Sequence, residues 1–173
     1  MNVAFRITAV LADRVRNDLR RKHPFAQERV GFALCKAGVT SGGGILLIAS
    51  DYLPIEDGDY VEDNSVGAMM GPAAIRKAMQ RAYNNGAQDT SLFHVHEHAH
   101  FGMPGFSRTD WTEMHKFVPD FFNAVPSMPH GALVLSHDRA IGLCWCGRDK
   151  KQTFIERFAF VGAPLKSWSM DNE

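Results

Sequence analysis

Apolar and polar positions alternate over residues 3–8 (VAFRIT), a period-2 pattern that predicts a strand. The period then lengthens. Leu11, Val15 and Leu19 recur at helical spacing, so a short helix is expected over 11–21, stopped by Pro24. Two apolar runs, 29–36 (RVGFALCK) and 44–50 (GILLIAS), flank a Gly-rich stretch and read as a hairpin. Helical spacing returns at Ile75, Ala78, Met79 and Ala82. With Pro72 in the first turn and Asn84-Asn85-Gly86 as terminator, it predicts a second helix over 72–83. Residues 91–96 (SLFHVH) have strand composition and lead into a polar loop over 97–106. Trp111, Met114, Val118, Phe121 and Phe122 mark the apolar face of a third helix, 108–123. The rest reads as three strands, 131–136, 140–146 and 152–160, with turns at Asp138-Arg139 and Gly147-Arg148-Asp149.

This order of elements predicts an α/β fold, a sheet with helices packed on it. The hairpins make its pairing mixed rather than all-parallel. A chain of 173 residues without repeats or a long linker fits a single domain over 1–173. At 45% hydrophobic and 22% charged residues it can bury a core without disulfides, so a metal would serve chemistry rather than folding. Nineteen basic residues balance nineteen acidic ones. No basic field is available for a phosphate backbone, so a nucleic-acid partner is not expected. The local run Arg20-Arg21-Lys22-His23 reads as a solvated helix C-terminus. No apolar stretch approaches the ~18 residues needed to cross a membrane. The N-terminal run is interrupted by Arg6 and lacks a small-residue cleavage site, unlike a signal peptide. Three cysteines (Cys35, Cys144, Cys146) without framework spacing suit the cytoplasm. Cys144 and Cys146 read as buried small hydrophobes.

Chemistry enters at His94-Val95-His96. Side chains two apart on a strand share a face and stand ~6–7 Å apart along it, within reach of one zinc ion. Phe93 and Val95 would face the opposite way, into the core. Two surface histidines would give the same pattern. Ser107 and Asp110 open the third helix, where Ser-x-x-Asp is a capping box. The capping reading and the metal reading are compatible, because a capping carboxylate can still offer an oxygen to a metal. His94, His96 and Asp110 would leave a fourth position open for water. Glu28, just ahead of an apolar strand, could be an exposed edge residue. It could also be the carboxylate that takes a proton from the attacking water and returns it to a leaving nitrogen.

As an ordered set, Glu28, His94/His96 and Ser107/Asp110 resemble the signature of the JAMM (MPN-type, JAB-domain) zinc metalloproteases. The element order over residues 3–160 and the strand at 130–136 (HGALVLS) are similar too. The resemblance implies a curved, mixed sheet of the MPN/JAB, cytidine-deaminase-like fold. It implies His94, His96 and Asp110 as zinc ligands, Glu28 as general acid/base, and Ser107 as the hydroxyl facing the tetrahedral oxyanion. The implied reaction is hydrolysis of an amide or isopeptide bond at the C-terminus of a ubiquitin-like protein, within a bacterial conjugation system with E1-like and E2-like partners. The departure is length. Ten residues separate His96 from Ser107, more than the family's usual gap, and the insertion continues the alternation with His98 and His100. From His98 the gap is eight. The pair on the apolar run, His94/His96, is the expected ligand pair, with His98 and His100 at the rim and Glu97 a competing base. Three rival readings remain. They are a non-catalytic MPN-type scaffold, a zinc hydrolase acting on a sulfur carrier or a small-molecule amide, and a chelating tract over 94–100.

Overall fold

The computed structural model describes residues 2–23, 27–62, 67–85 and 89–170. Thr8 closes β1 (Val3–Thr8) and opens α1 (Ala9–Leu19), its hydroxyl accepting the Leu11 N–H at 3.2 Å. The helix buries Ala12, Val15 and Leu19, spacings that lie on one face. Pro24, expected to stop it, lies outside the described residues, as does Gly86 after the second helix. β2 (Val30–Val39) and β3 (Ile45–Pro54) form the expected hairpin, with Gly43 in the turn at φ 74°, a conformation a side chain would strain. α2 (Pro72–Asn84) buries Ala74, Ala78 and Ala82. Then follow β4 (Thr90–Glu97), α3 (Arg108–Ala124), β5 (His130–Leu135) and β6 (Ala140–Cys146).

The last expected strand, 152–160, is two strands. β7 (Lys151–Phe154) pairs with β6, and β8 (Arg157–Val161) pairs with β1. β9 (Lys166–Ser169), which no alternation announced, pairs with β8. The sheet order is β7-β6-β5-β4-β2-β3-β1-β8-β9, with β1–β3, β1–β8 and β4–β5 parallel and the other neighbours antiparallel. Six strands lie between β7 and β8 in that order, yet only Ile155 and Glu156 join them. The three steps from Phe154 to Arg157 reach no more than ~11 Å. The sheet must therefore roll up. At the seam the Ile155 N–H donates to Gly142 on β6 and the Glu156 N–H to Val3 on β1, both at 2.9 Å.

Rolling separates two cores. The inner one joins Phe5, Phe93, Val95 and Phe158 to Val15 and Leu19 of α1, and includes all three cysteines. The outer one joins Phe32 and Leu92 to Met114, Phe117 and Phe121 of α3 and to the alanine stripe of α2. The fold is thus α/β, a curled mixed sheet with helices on both faces. Among the described residues no helix is long and apolar enough to cross a membrane.

Candidate metal centre

β4 carries the histidines. Its alternation places Phe93 and Val95 in the inner core, and Leu92, His94 and His96 on the face covered by α2 and α3. The strand pairs in parallel with β5 up to Glu97↔Leu135. The ladder does not stop there, because the His98 N–H donates to the Leu135 carbonyl at 2.8 Å. The chain stays extended for one more residue, and His98 falls on the same face as His96.

The ring nitrogens converge at this end of the strand. Nε2 of His96 lies 3.2 Å from Nε2 of His98. One Asp110 oxygen is 3.3 Å from His96 Nε2, and the other is 3.8 Å from His98 Nε2. Corners of a zinc tetrahedron with arms of ~2.0–2.1 Å stand about 3.3 Å apart, which matches the two ring nitrogens and Asp110 Oδ1 against His96, whereas His98 meets the other Asp110 oxygen at a longer distance. Glu28, His96 and His98 also bring ligand atoms within 4.8 Å of one another. Burial, and then the positive charge His96 would carry, lower the His98 pKa, which favours the neutral, metal-competent ring.

Asp110 is held from both sides. Ser107 is the N-cap of α3; its Oγ accepts the Asp110 N–H at 3.1 Å, and Asp110 Oδ2 accepts the Ser107 N–H at 2.6 Å. The capping box therefore exists, and Oδ1 still reaches His96. Burial pushes the carboxyl pKa up. The hydrogen bond and charge of His96 and the bonds from Ser107 outweigh it and hold the carboxyl well below the usual range. With its oxygen engaged as an acceptor, the hydroxyl proton of Ser107 is the donor this cap has left.

Glu28 is brought in by its neighbours. The buried Arg29 donates through Nε to the Arg21 carbonyl at 2.9 Å and through Nη2 to the Lys22 carbonyl at 2.7 Å, which pins the segment to the end of α1. The Gln27 and Glu28 N–H groups both donate to the Gly67 carbonyl, at 2.8 and 2.9 Å. A Cβ on Gly67 would lie 2.8 Å from Glu28 Oε2, so the carboxylate occupies space that only glycine leaves. Glu28, His94, His96, Ser107 and Asp110 all line one cavity of about 330 Å³.

His94 belongs to that cavity but not to the convergence. Its ring packs on Phe117, with centroids 4.9 Å apart, and edge-on against Phe32. Burial lowers its pKa to about 3, so the ring is neutral. His100 is exposed and bonds its own loop at the Phe101 carbonyl. Glu97, being between His96 and His98, points to the other face. Arg20 donates to it through Nε at 2.7 Å and through Nη2, and Arg16 and His137 lie beside it. It is therefore engaged away from the cavity and is not a base for it. Arg20, expected as a solvated helix end, instead anchors the strand that carries the histidines.

The structure thus gathers four of the five sequence-predicted residues, Glu28, His96, Ser107 and Asp110, around one centre. The second imidazole there is His98, two alternations beyond the expected His94. The shorter gap from His98 to Ser107 was the sequence signal for it. Gly67 carried no signal, because its role exists only through a contact distant in sequence. No protein-family model matches the chain, and no curated protein matches it in sequence. Among solved structures, the STIL N-terminal domain of Trichoplax adhaerens aligns at TM-score 0.38 with 8% identity, covering 80% of this chain and 40% of that one. A likeness that slight carries no argument about fold or function.

Proposed function

We propose that the chain is a zinc-dependent amide hydrolase of the JAMM type, acting at the C-terminus of a ubiquitin-like protein, as a conjugate or a precursor. The observation that carries this reading is the convergence of His96, His98 and Asp110, with ligand atoms 3.2 to 3.8 Å apart, beside the Glu28 carboxylate. His96, His98 and Asp110 are the proposed ligands, with His94 as the packed wall behind them. When bound, zinc supplies a Lewis acid that makes water a nucleophile near neutral pH and polarises the scissile carbonyl.

The protein's own residues divide the remaining work. Glu28 takes the proton from the attacking water and passes it to the leaving nitrogen, so the amide and one water become a carboxylic acid and an amine. Ser107 donates its hydroxyl proton to the oxygen that gains charge as the carbonyl carbon becomes tetrahedral. Asp110 and the α3 N-terminus hold Ser107 in place through the capping box. Partners of E1-like and E2-like chemistry and a cytoplasmic location belong to the same proposal.

The experiment uses the purified chain, loaded with zinc, and a fusion of a bacterial ubiquitin-like protein to a C-terminal tail. Cleavage at the junction is expected. Glu28→Gln is expected to lower kcat by about 10²–10⁴-fold while zinc content stays at one per chain, since removal of a general base costs that much. Unchanged cleavage in this variant would remove Glu28 from the mechanism.

A further inference from the structure

The cavity at the proposed centre is larger and more apolar than hydrolysis itself requires. At the proposed centre its polar wall is Glu28, His94, His96, Ser107 and Asp110, and Thr109, Glu113, Lys116 and Asp120 of α3 add a charged rim. Continuous with that wall it is lined by Met69, Met70, Ile75, Phe106, Met114 and Phe117. Its volume of about 330 Å³ lies at the low end of ligand pockets, ~300–1,000 Å³, suited to one bulky side chain rather than a folded partner. Met69, Met70, Ile75 and Phe106 are only half-buried, so water alone would leave them wetted on one side, an unfavourable state that an apolar occupant relieves. Thioether side chains with three rotatable bonds also adapt to occupants of different shape.

His94 adds an independent observation. The residue is 8% exposed and lines the cavity. Among the described residues no hydrogen bond reaches that ring, which leaves its polar edge to the cavity. Its register partner on β5 is Ala132, which leaves space at the same wall. An occupant that is apolar in its body and polar at one point would satisfy both features.

We infer that this cavity is the specificity subsite of the enzyme, and that it takes a bulky apolar side chain, aromatic or long aliphatic, on the residue next to the scissile amide. This inference rests on the hydrolase reading for its placement beside a scissile bond. The occupancy of the cavity can be measured apart from catalysis. A glycine at that position would leave the cavity unfilled.

The test has two arms on the full chain. In the first, methionine methyl groups are labelled with carbon-13 and the zinc-free protein is titrated with N-acetyl-phenylalanine amide or N-acetyl-glycine amide. Resonances of Met69, Met70 and Met114 are expected to shift with the phenylalanine compound and stay in place with the glycine compound. In the second, zinc-loaded protein is given peptides with Gly, Leu or Phe on the acyl side, then on the amine side, of one amide. One series is expected to show kcat/KM for Phe or Leu at least tenfold above Gly, since a single methylene in a pocket is worth ~10-fold or more. Ala68→Leu, on the partly buried cavity wall, is expected to bring kcat/KM for the Phe and Leu peptides down to that for the glycine peptide. Ala132→Leu is the second filling variant, should the first disturb folding. Glycine peptides cut as well as apolar ones, or methyl resonances indifferent to the phenylalanine compound, would overturn the inference and leave the hydrolase standing. Shifted methyls with no cleavage of any peptide would show the cavity filled but overturn the hydrolase reading, and with it the placement beside a scissile bond.

Discussion

The Nε2 atoms of His96 and His98 lie 3.2 Å apart, and Asp110 faces both rings. Two imidazolium ions would repel strongly at that separation, so the pair is suited to neutral rings sharing one cation. Substitutions separate this set from the one nearer the strand centre. His96→Ala, His98→Ala and Asp110→Ala are each expected to lose zinc in elemental analysis after dialysis. His94→Leu is expected to keep about one zinc per chain. Zinc lost in His94→Leu and kept in His98→Ala would instead return the ligand pair to His94/His96.

Gly67 and Glu28 give the second prediction. The Cβ of Gly67→Ala would sit 2.8 Å from Glu28 Oε2 and 3.0 Å from its Cδ. These are the end atoms of a side chain that can turn away, so folding should be nearly unaffected. The carboxylate, however, must leave its position. A displacement of ~1 Å at a reacting group costs ~10²-fold, so a shift of a few tenths should cost up to ~10-fold in kcat. Melting temperature within about 2 °C of the parent, equal zinc and reduced kcat are the expected results. Unchanged kcat would mean that Glu28 does not need its present placement.

Much of this architecture could be read along the chain, and the failures have physical causes. The strand alternation correctly sent Phe93 and Val95 inward and the histidines outward. Ser107 and Asp110 were legible because a capping box is local. The end of β4 was not. Four histidines alternate, and nothing in them says where the extended chain stops. The bond from His98 to Leu135 decides that, and it joins residues 37 apart (135 − 98). The break of the 152–160 run at Ile155 and Glu156 was hidden for a similar reason. It is imposed by curling of the whole sheet, which brings β6 and β1 to the seam.

Glu97 links the metal strand to α1, and its removal should be costly. Its side chain is 5% exposed, and the Arg16 and Arg20 guanidinium groups beside it are 12% and 46% exposed. Glu97→Ala would remove the carboxylate 4.0 Å from the mostly buried Arg16 and break that carboxylate's bonds with Arg20, a loss of about 1–3 kcal/mol. Arg20→Ala should cost about 1 kcal/mol, because Arg20 is half-exposed and Arg16 and His137 still face the carboxylate. Urea denaturation of both variants measures the difference. Equal midpoints would show that Arg16 gains nothing from Glu97.

Two buried histidines set the response to acid. His130 accepts the Leu92 N–H at Nδ1 and donates from Nε2 to the Val125 carbonyl, each at 2.9 Å, which fixes it as a neutral ring. Burial outweighs those bonds and lowers its pKa to about 4, and burial lowers that of His94 to about 3, against an ordinary 6.5. Between about pH 6.5 and 4 the unfolded chain therefore binds protons that the folded chain refuses. Stability must fall as pH falls through that window. Each histidine contributes at most ~1.4 kcal/mol per pH unit, about 2.7 for the two. Urea denaturation of the zinc-free protein at pH 7, 6, 5 and 4.5 should show this decline. His130→Gln removes one titrating ring, so it should start less stable at pH 7 yet lose stability about half as steeply between pH 6 and 4.5. A parent protein whose stability is flat across that range would mean that these rings accept protons in the folded state, contrary to their burial.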